Sequence, residues 1–213
     1  GMIPLLHDFA GERVLVFGGG PVGARKARTF AREAETVVLS PAFADASFGD
    51  AELVRAAPEP DDLPAWIECV DPALVVVATD SESVNDAAAA AARDHGALLN
   101  RADRAGGRDA GSVVVPATVR DDPVVVSIAT GGTAPALSRH LREQIETDVE
   151  GAGKMAELLG ELRAELKASE PDAETRRRAI LRVLESSAVW KGLRTDTEKG
   201  RREAERIVEE VTK

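Results

Sequence analysis

The stretch Val14-Leu15-Val16-Phe17-Gly18-Gly19-Gly20-Pro21-Val22-Gly23 decides the fold. An apolar, β-branched run enters a glycine turn, and a helical pattern follows at once. Gly18, Gly20 and Gly23 carry the G-x-G-x-x-G spacing of a dinucleotide-binding turn. The first glycine permits the tight reversal, the second lets the main chain approach a pyrophosphate, and the third lets helix pack closely on strand. The helix opening at Pro21 and Val22 offers unpaired N–H groups and the positive end of its dipole to phosphate. Glycine triplets also occur in ordinary loops. Here a strand precedes the triplet, and the small residues Gly23, Ala27 and Ala31 recur along the helix after it.

Working outward, strand one covers about Arg13–Phe17 and the helix about Val22–Arg32. Arg25 and Lys26 fall in its first turn, where the dipole disfavours cations unless an anion is bound. A second strand at Thr36–Leu39 closes on Ser40-Pro41. An NAD-specific site places an acid about there to hold the ribose hydroxyls. Ser40 can bond a hydroxyl and does not repel a 2′-phosphate, so this position leaves NAD and NADP both open. Leu63, Trp66, Ile67 and Val70 have helical spacing and read as core, with Cys69 as a buried small residue among them. Ala73–Ala78 is a continuous apolar run, as in a parallel strand buried on both faces. Thr79 and Asp80 follow at its C-terminal end, the sheet edge where ligands bind. An alanine-rich helix over Ser83–His95 stops at Gly96, and Leu98–Asn100 is another strand. His7, His95 and His140 lack metal-ligand spacing, so no metal site is assigned.

Beyond Asn100 the pattern changes. Residues 101–109 read as a charged, glycine-containing loop. Ser112–Pro116 and Pro123–Ile128 read as a hairpin around Arg120-Asp121-Asp122. Thr130-Gly131-Gly132-Thr133 leads into a helix over about Ala134–Thr147, with Thr133 as its N-cap. A lone hairpin is marginal in water, so a symmetry mate, and hence a homodimer, is expected. Met155, Leu158, Leu159, Leu162 and Leu166 form one helical stripe, and Ile180, Leu181, Leu184 and Val189 belong to another. The expected class is α/β: an N-terminal Rossmann-like parallel sheet over 1–111, a small α+β dimerisation segment over 112–150, and an α-helical C-terminal domain over 151–213.

The formal net charge of −10 over 213 residues leaves no basic footprint for nucleic acid. Aromatic residues are few and Tyr is absent, which argues against stacking on single strands. Arg outnumbers Lys 21 to 6, and the acidic balance suggests a halophilic source, where salt screens self-repulsion. The single cysteine suits a reducing compartment. No leader or membrane-length apolar run is seen, so a cytoplasmic protein without membrane partners is expected, with Gly1 taken as an expression scar.

Several of these residues together resemble the precorrin-2 dehydrogenase/sirohydrochlorin ferrochelatase family, including the N-terminal half of bifunctional siroheme synthase. They are the run Gly18–Ala27, Ala78-Thr79-Asp80 with Asn85, Asn100-Arg101-Ala102-Asp103, Val115-Pro116-Ala117, Thr130–Leu137 and Leu141-Arg142. The resemblance implies NAD-dependent oxidation of precorrin-2 to sirohydrochlorin; many members of the family then insert Fe²⁺, which in that case is a substrate. It implies NAD at Gly18, Gly20, Pro21, Val22, Gly23, Ser40, Thr79 and Asp80. It places the catalytic base at Asp103, with Asp109 a rival. The tetrapyrrole is a polycarboxylate, and an acidic protein needs local cations for it. Arg101, Arg104, Arg108, Arg139 and Arg142 are the pool, and Thr130, Gly131, Gly132 and Thr133 line the same side. Arg101-Ala102 replace the family's apolar pair. The chain as given carries no methyltransferase segment, so methylation is expected of another protein. The alternative is a dimeric NAD(H)-sensing regulatory module without tetrapyrrole chemistry.

Overall fold

The computed structural model describes residues 3–103, 111–169 and 171–213. The chain divides into two compact units, residues 1–115 and 116–213.

The first unit contains β1 (Arg13–Phe17), α1 (Pro21–Phe30), β2 (Glu35–Ser40), β3 (Glu52–Arg55), α2 (Leu63–Val70), β4 (Leu74–Val77), α3 (Glu82–His95) and β5 (Leu98–Arg101). The strands pair in parallel in the order β3-β2-β1-β4-β5. The chain winds outward from β1 to β3, then returns to lay β4 on the other side of β1. That reversal creates the crevice where open α/β sheets bind ligands. Both sheet faces are covered, which explains why β1 and β4 read as unbroken apolar runs. Val14, Val16, Leu74 and Val76 point to one face with Ala24, Ala27 and Phe30 of α1. Leu15, Phe17, Val75 and Val77 point to the other, against Leu63 and Ile67 of α2 and the alanines of α3.

Two expectations shift here. Cys69 is exposed. Leu63 and Ile67, one turn apart, face the core, and a residue two positions after Ile67 falls on the far side of the helix. Ser112–Pro116 is not a hairpin strand. Ser112 bridges Leu99 in parallel, and Val113 and Val115 pack on the α1 face of the first sheet. Their apolar character comes from that burial.

The second unit contains the hairpin β6 (Ala117–Asp121) and β7 (Val124–Ile128), then α4 (Pro135–Asp148), α5 (Ala152–Ala168), α6 (Ala173–Leu184), α7 (Ser187–Thr195) and α8 (Thr197–Thr212). Its core is Met155, Leu158, Leu162, Val183, Val189, Leu193, Ala204 and Ile207. The hairpin is tied to α5 by Gly153 N–H, which donates to Asp121 Oδ2 at 3.1 Å. The α6 stripe is rotated from its expected face. Ala179 and Val183 are buried, while Leu181 and Leu184 are 41 % and 39 % exposed. No helix among the described residues is long and apolar enough to cross a membrane.

Candidate active site

The glycine turn lies where β1 meets β4. Gly18 adopts φ +119°, its N–H donates to Leu39 O at 3.0 Å, and an added Cβ would lie 2.2 Å from Ala78 O. A Cβ on Gly23 would lie 1.8 Å from Gly18 O, so α1 starts against the turn with no room for a side chain. Gly20, the N-cap residue, has nothing within 4 Å of a Cβ position and faces open space. No side chain caps α1, and its first turn holds no acid. The first-turn N–H groups therefore lack carbonyl partners and look onto that space. This arrangement fits a dinucleotide pyrophosphate.

Sequence reasoning did not single out Gly19. A Cβ there would lie 2.2 Å from Ala42 O, because the loop after β2 crosses directly over it. Nothing local to the triplet announces that crossing. Ser40 ends β2 and is buried, and its Oγ donates to Ala42 O at 2.8 Å. The hydroxyl expected at the ribose thus fastens the crossing loop. Arg55, also missed, donates to Pro41 O at 3.0 Å, with its guanidinium 5.6 Å from the Phe43 ring centre. Half-buried Lys26 on α1 has its pKa lowered to about 8, first by desolvation and then by the charge of Arg25.

The second cluster lies at the C-terminal ends of β4 and β5. Asn85, one turn into α3 and 2 % exposed, accepts from Thr79 Oγ1 at 2.6 Å and from Thr79 N–H at 3.2 Å. Its Nδ2 donates to Thr79 O at 2.8 Å and to Asp103 Oδ2 at 3.3 Å. From the other direction Arg101 grips the same carboxylate in bidentate fashion. Nε donates to Asp103 Oδ1 at 2.8 Å and Nη2 to Oδ2 at 2.6 Å. Its Nη1 donates to Asp86 Oδ1 at 2.8 Å. The Arg101 side chain is 5 % exposed, Asp103 9 % and Asp86 52 %. The hydrogen bond to Asp103, then that to Asp86 and both negative charges, hold the Arg101 guanidinium protonated beyond its ordinary range, against the cost of burial. Asp80, beyond β4, is exposed.

Two consequences follow. Asp103 is fixed in orientation at the crevice edge, as a base needs. Arg101, expected to hold a substrate carboxylate, instead has its fork on Asp103 and its remaining arm on Asp86. Next to it, Asn100 Nδ2 donates to Val113 O at 2.9 Å, while its buried Oδ1 accepts no hydrogen bond from the described residues.

In the second unit, Gly131 and Gly132 both have positive φ, +68° and +80°. Thr130 Oγ1 pairs with Ser138 Oγ at 2.8 Å, and Thr133 Oγ1 donates back to Thr130 O at 2.7 Å. Thr133 therefore does not cap α4. Ala134 is the N-cap, with no side-chain bond, so this helix start is also open. Arg139 is exposed, and Arg142 pairs with Glu146 at 2.8 Å. A cavity of about 600 Å³ in this unit, lined by Trp190, Lys191 and Arg194 among others, holds none of the expected site residues. Arg104, Arg108 and the rival base Asp109 lie outside the described residues. Among the described residues, no group of three or more His, Cys, Asp or Glu is placed to hold a metal ion.

Comparison with known proteins bears on this geometry. An NAD(P)-binding family model matches residues 5–117. The precorrin-2 dehydrogenase of Methanosarcina barkeri is 34% identical over 97% of this chain and 93% of its own length. The siroheme synthase of Azotobacter vinelandii is 36% identical over 82% of this chain, which matches 37% of that longer protein. The solved structure of SirC, a precorrin-2 dehydrogenase, superposes with a TM-score of 0.68 over 98% of this chain and 100% of its own, at 22% identity.

Proposed function

The chain belongs to the precorrin-2 dehydrogenase family, and we propose that it oxidises precorrin-2 to sirohydrochlorin with NAD⁺ in siroheme biosynthesis, using Asp103 as the base. One observation carries the assignment of Asp103. It is a carboxylate held by Arg101 and Asn85, in the same unit and at the same sheet edge as an open, uncapped glycine turn. Bound NAD⁺ supplies the hydride acceptor. Precorrin-2 loses one hydride to it and a proton to a base, so the carbon framework is oxidised by two electrons and NADH leaves. Gly18 and Gly23 bring the start of α1 against the sheet, and the N–H groups after Gly20 would hold the pyrophosphate. Thr79 closes the β4 end and is itself locked to Asn85. Asp103 accepts the proton as an anion that Arg101 and Asn85 hold in place.

Substrate carboxylates fall to Arg104 and Arg139 and to the open turn Thr130, Gly131, Gly132 and Thr133. Arg101 acts on Asp103 instead. When Fe²⁺ is offered as a substrate, the same carboxylate can take the pyrrole protons that metal insertion displaces. The hairpin and α4 serve as the dimerisation segment. Val119 is the one residue of those three elements that is buried among the described residues, and Leu137 is 48 % exposed. A second copy would cover that face.

The test is an anaerobic assay of the purified chain with precorrin-2 and NAD⁺, following NADH and the sirohydrochlorin spectrum, then Fe²⁺. NADH with sirohydrochlorin is the expected result, and iron uptake above the spontaneous rate would add the chelatase. No NADH with either NAD⁺ or NADP⁺, in dilute or molar salt, would overturn the dehydrogenase reading and leave an NAD(H)-responsive dimer.

A further inference from the structure

Arg101 lies between two carboxylates, Asp86 on α3 and Asp103 just beyond β5. We infer that Arg101 is a positioning residue for the base: backed by Asp86, its guanidinium fixes the Asp103 carboxylate in one orientation and keeps it charged in acid, so that proton removal persists to lower pH than an unpaired carboxylate would allow. This rests on Asp103 being the base.

The geometry supports each part. A guanidinium fork that meets both carboxylate oxygens removes the carboxylate's rotational freedom, which a single donor does not. The contact has 5 % and 9 % exposed side chains, so water screens it little. Asp86 pins the free arm of the fork, so the guanidinium does not swing toward solvent or substrate. An adjacent cation and three N–H donors aimed at the same carboxylate favour its anion. Among the described residues, the charged groups on Asp103 include Arg101 on β5 and, through it, Asp86 on α3. Asp80 lies beyond β4 at the same edge. Arg104, Arg108 and Asp109 follow in the segment outside the described residues. Asp80 and Asp86 would raise the proton affinity of Asp103, and the Arg101 fork acts against them.

The balance of roles is specific. Arg101 neither gives nor receives a proton in the reaction. The hydride goes to NAD⁺ and the proton to Asp103 Oδ. Loss of Arg101 should therefore change when Asp103 is competent, and how well it is aimed, more than whether substrate binds.

The experiment compares wild type, Arg101→Gln, Arg101→Lys and Asp103→Asn, each confirmed as folded by a thermal melt. It measures kcat and KM for precorrin-2 with saturating NAD⁺ across acid to neutral pH. Arg101→Gln removes the charge but keeps a donor, and its acid limb should move to higher pH, leaving about a tenfold deficit at the acid end. Arg101→Lys keeps the charge without the fork. Its acid limb should stay near wild type while its plateau kcat falls. An unmoved acid limb in Arg101→Gln, with Asp103→Asn inactive, would overturn the positioning role and leave the base intact. A rise in KM for precorrin-2 at an unchanged pH profile would return Arg101 to substrate binding and also overturn it. Wild-type turnover in Asp103→Asn would remove the base reading itself.

Discussion

The glycine turns before α1 and α4 both open helices, and they use glycine for different reasons. In the turn from Gly18 to Gly23, side chains are forbidden by backbone. A Cβ on Gly18 or Gly23 would lie 2.2 Å and 1.8 Å from carbonyl oxygens. In the turn at Gly131 and Gly132, conformation alone asks for glycine. Gly131 has φ +68°, and its Cβ would meet nothing within 4 Å. Both turns feed helices without side-chain caps. The first is built into a core, with the start of α1 packed directly against the backbone of the turn. The second sits on an exposed surface.

Substitutions can break or sharpen that contrast. Gly23→Ala should have the largest effect, about 3 kcal/mol of destabilisation or loss of the fold, because its Cβ meets backbone that cannot move aside. Chemical denaturation would measure it. Gly20→Ala comes next. With space around its Cβ, stability should hold within about 0.5 kcal/mol, while NAD⁺ affinity measured by calorimetry should drop about tenfold, or 1.4 kcal/mol. Unchanged affinity would mean that the open space at Gly20 is not the pyrophosphate site. Gly131→Ala should cost about 1 kcal/mol from the left-handed backbone alone, with NAD⁺ affinity intact. A loss as large as that of Gly23→Ala would erase the distinction between the turns.

The smallest effect concerns Lys26, which has no counterpart beside the second turn. Its pKa in the folded protein, about 8, lies below the ordinary 10.5. Between those values the unfolded chain holds a proton that the folded chain has lost, so this group's contribution to stability rises with pH. Below about pH 8 it is a constant penalty. Lys26→Met should therefore be more stable than wild type at neutral pH, with the advantage shrinking by about pH 10. Thermal melts across that range would show a flat difference if the residue were fully hydrated.

The sheet was legible in the sequence because parallel strands covered on both faces must be continuously apolar, as Leu74–Val77 are. The hairpin was displaced because Val113 and Val115 owe their apolarity to a core formed by distant residues, which no local pattern reveals. Cys69, Leu181 and Leu184 show the same limit for helices. Spacing identifies a stripe, while the neighbouring elements set which flank of it is buried. The glycine cradle was readable as a motif, except for Gly19, whose need for glycine is created by a loop more than twenty residues on. Asp103 stood out through resemblance alone. Its grip by Arg101 was hidden because sequence counts a lone arginine beside a cleft as a cation for substrate. Topology instead brings Asp86 and Asp103 to it from α3 and from beyond β5.

The most direct test of the account is a single-turnover measurement, without oxygen, on Asp103→Asn and wild type mixed with NAD⁺ and precorrin-2. The account predicts that the variant binds NAD⁺ with wild-type affinity, while NADH formation slows by about a hundredfold or more. NADH forming at the wild-type rate in Asp103→Asn would contradict it and move the base elsewhere.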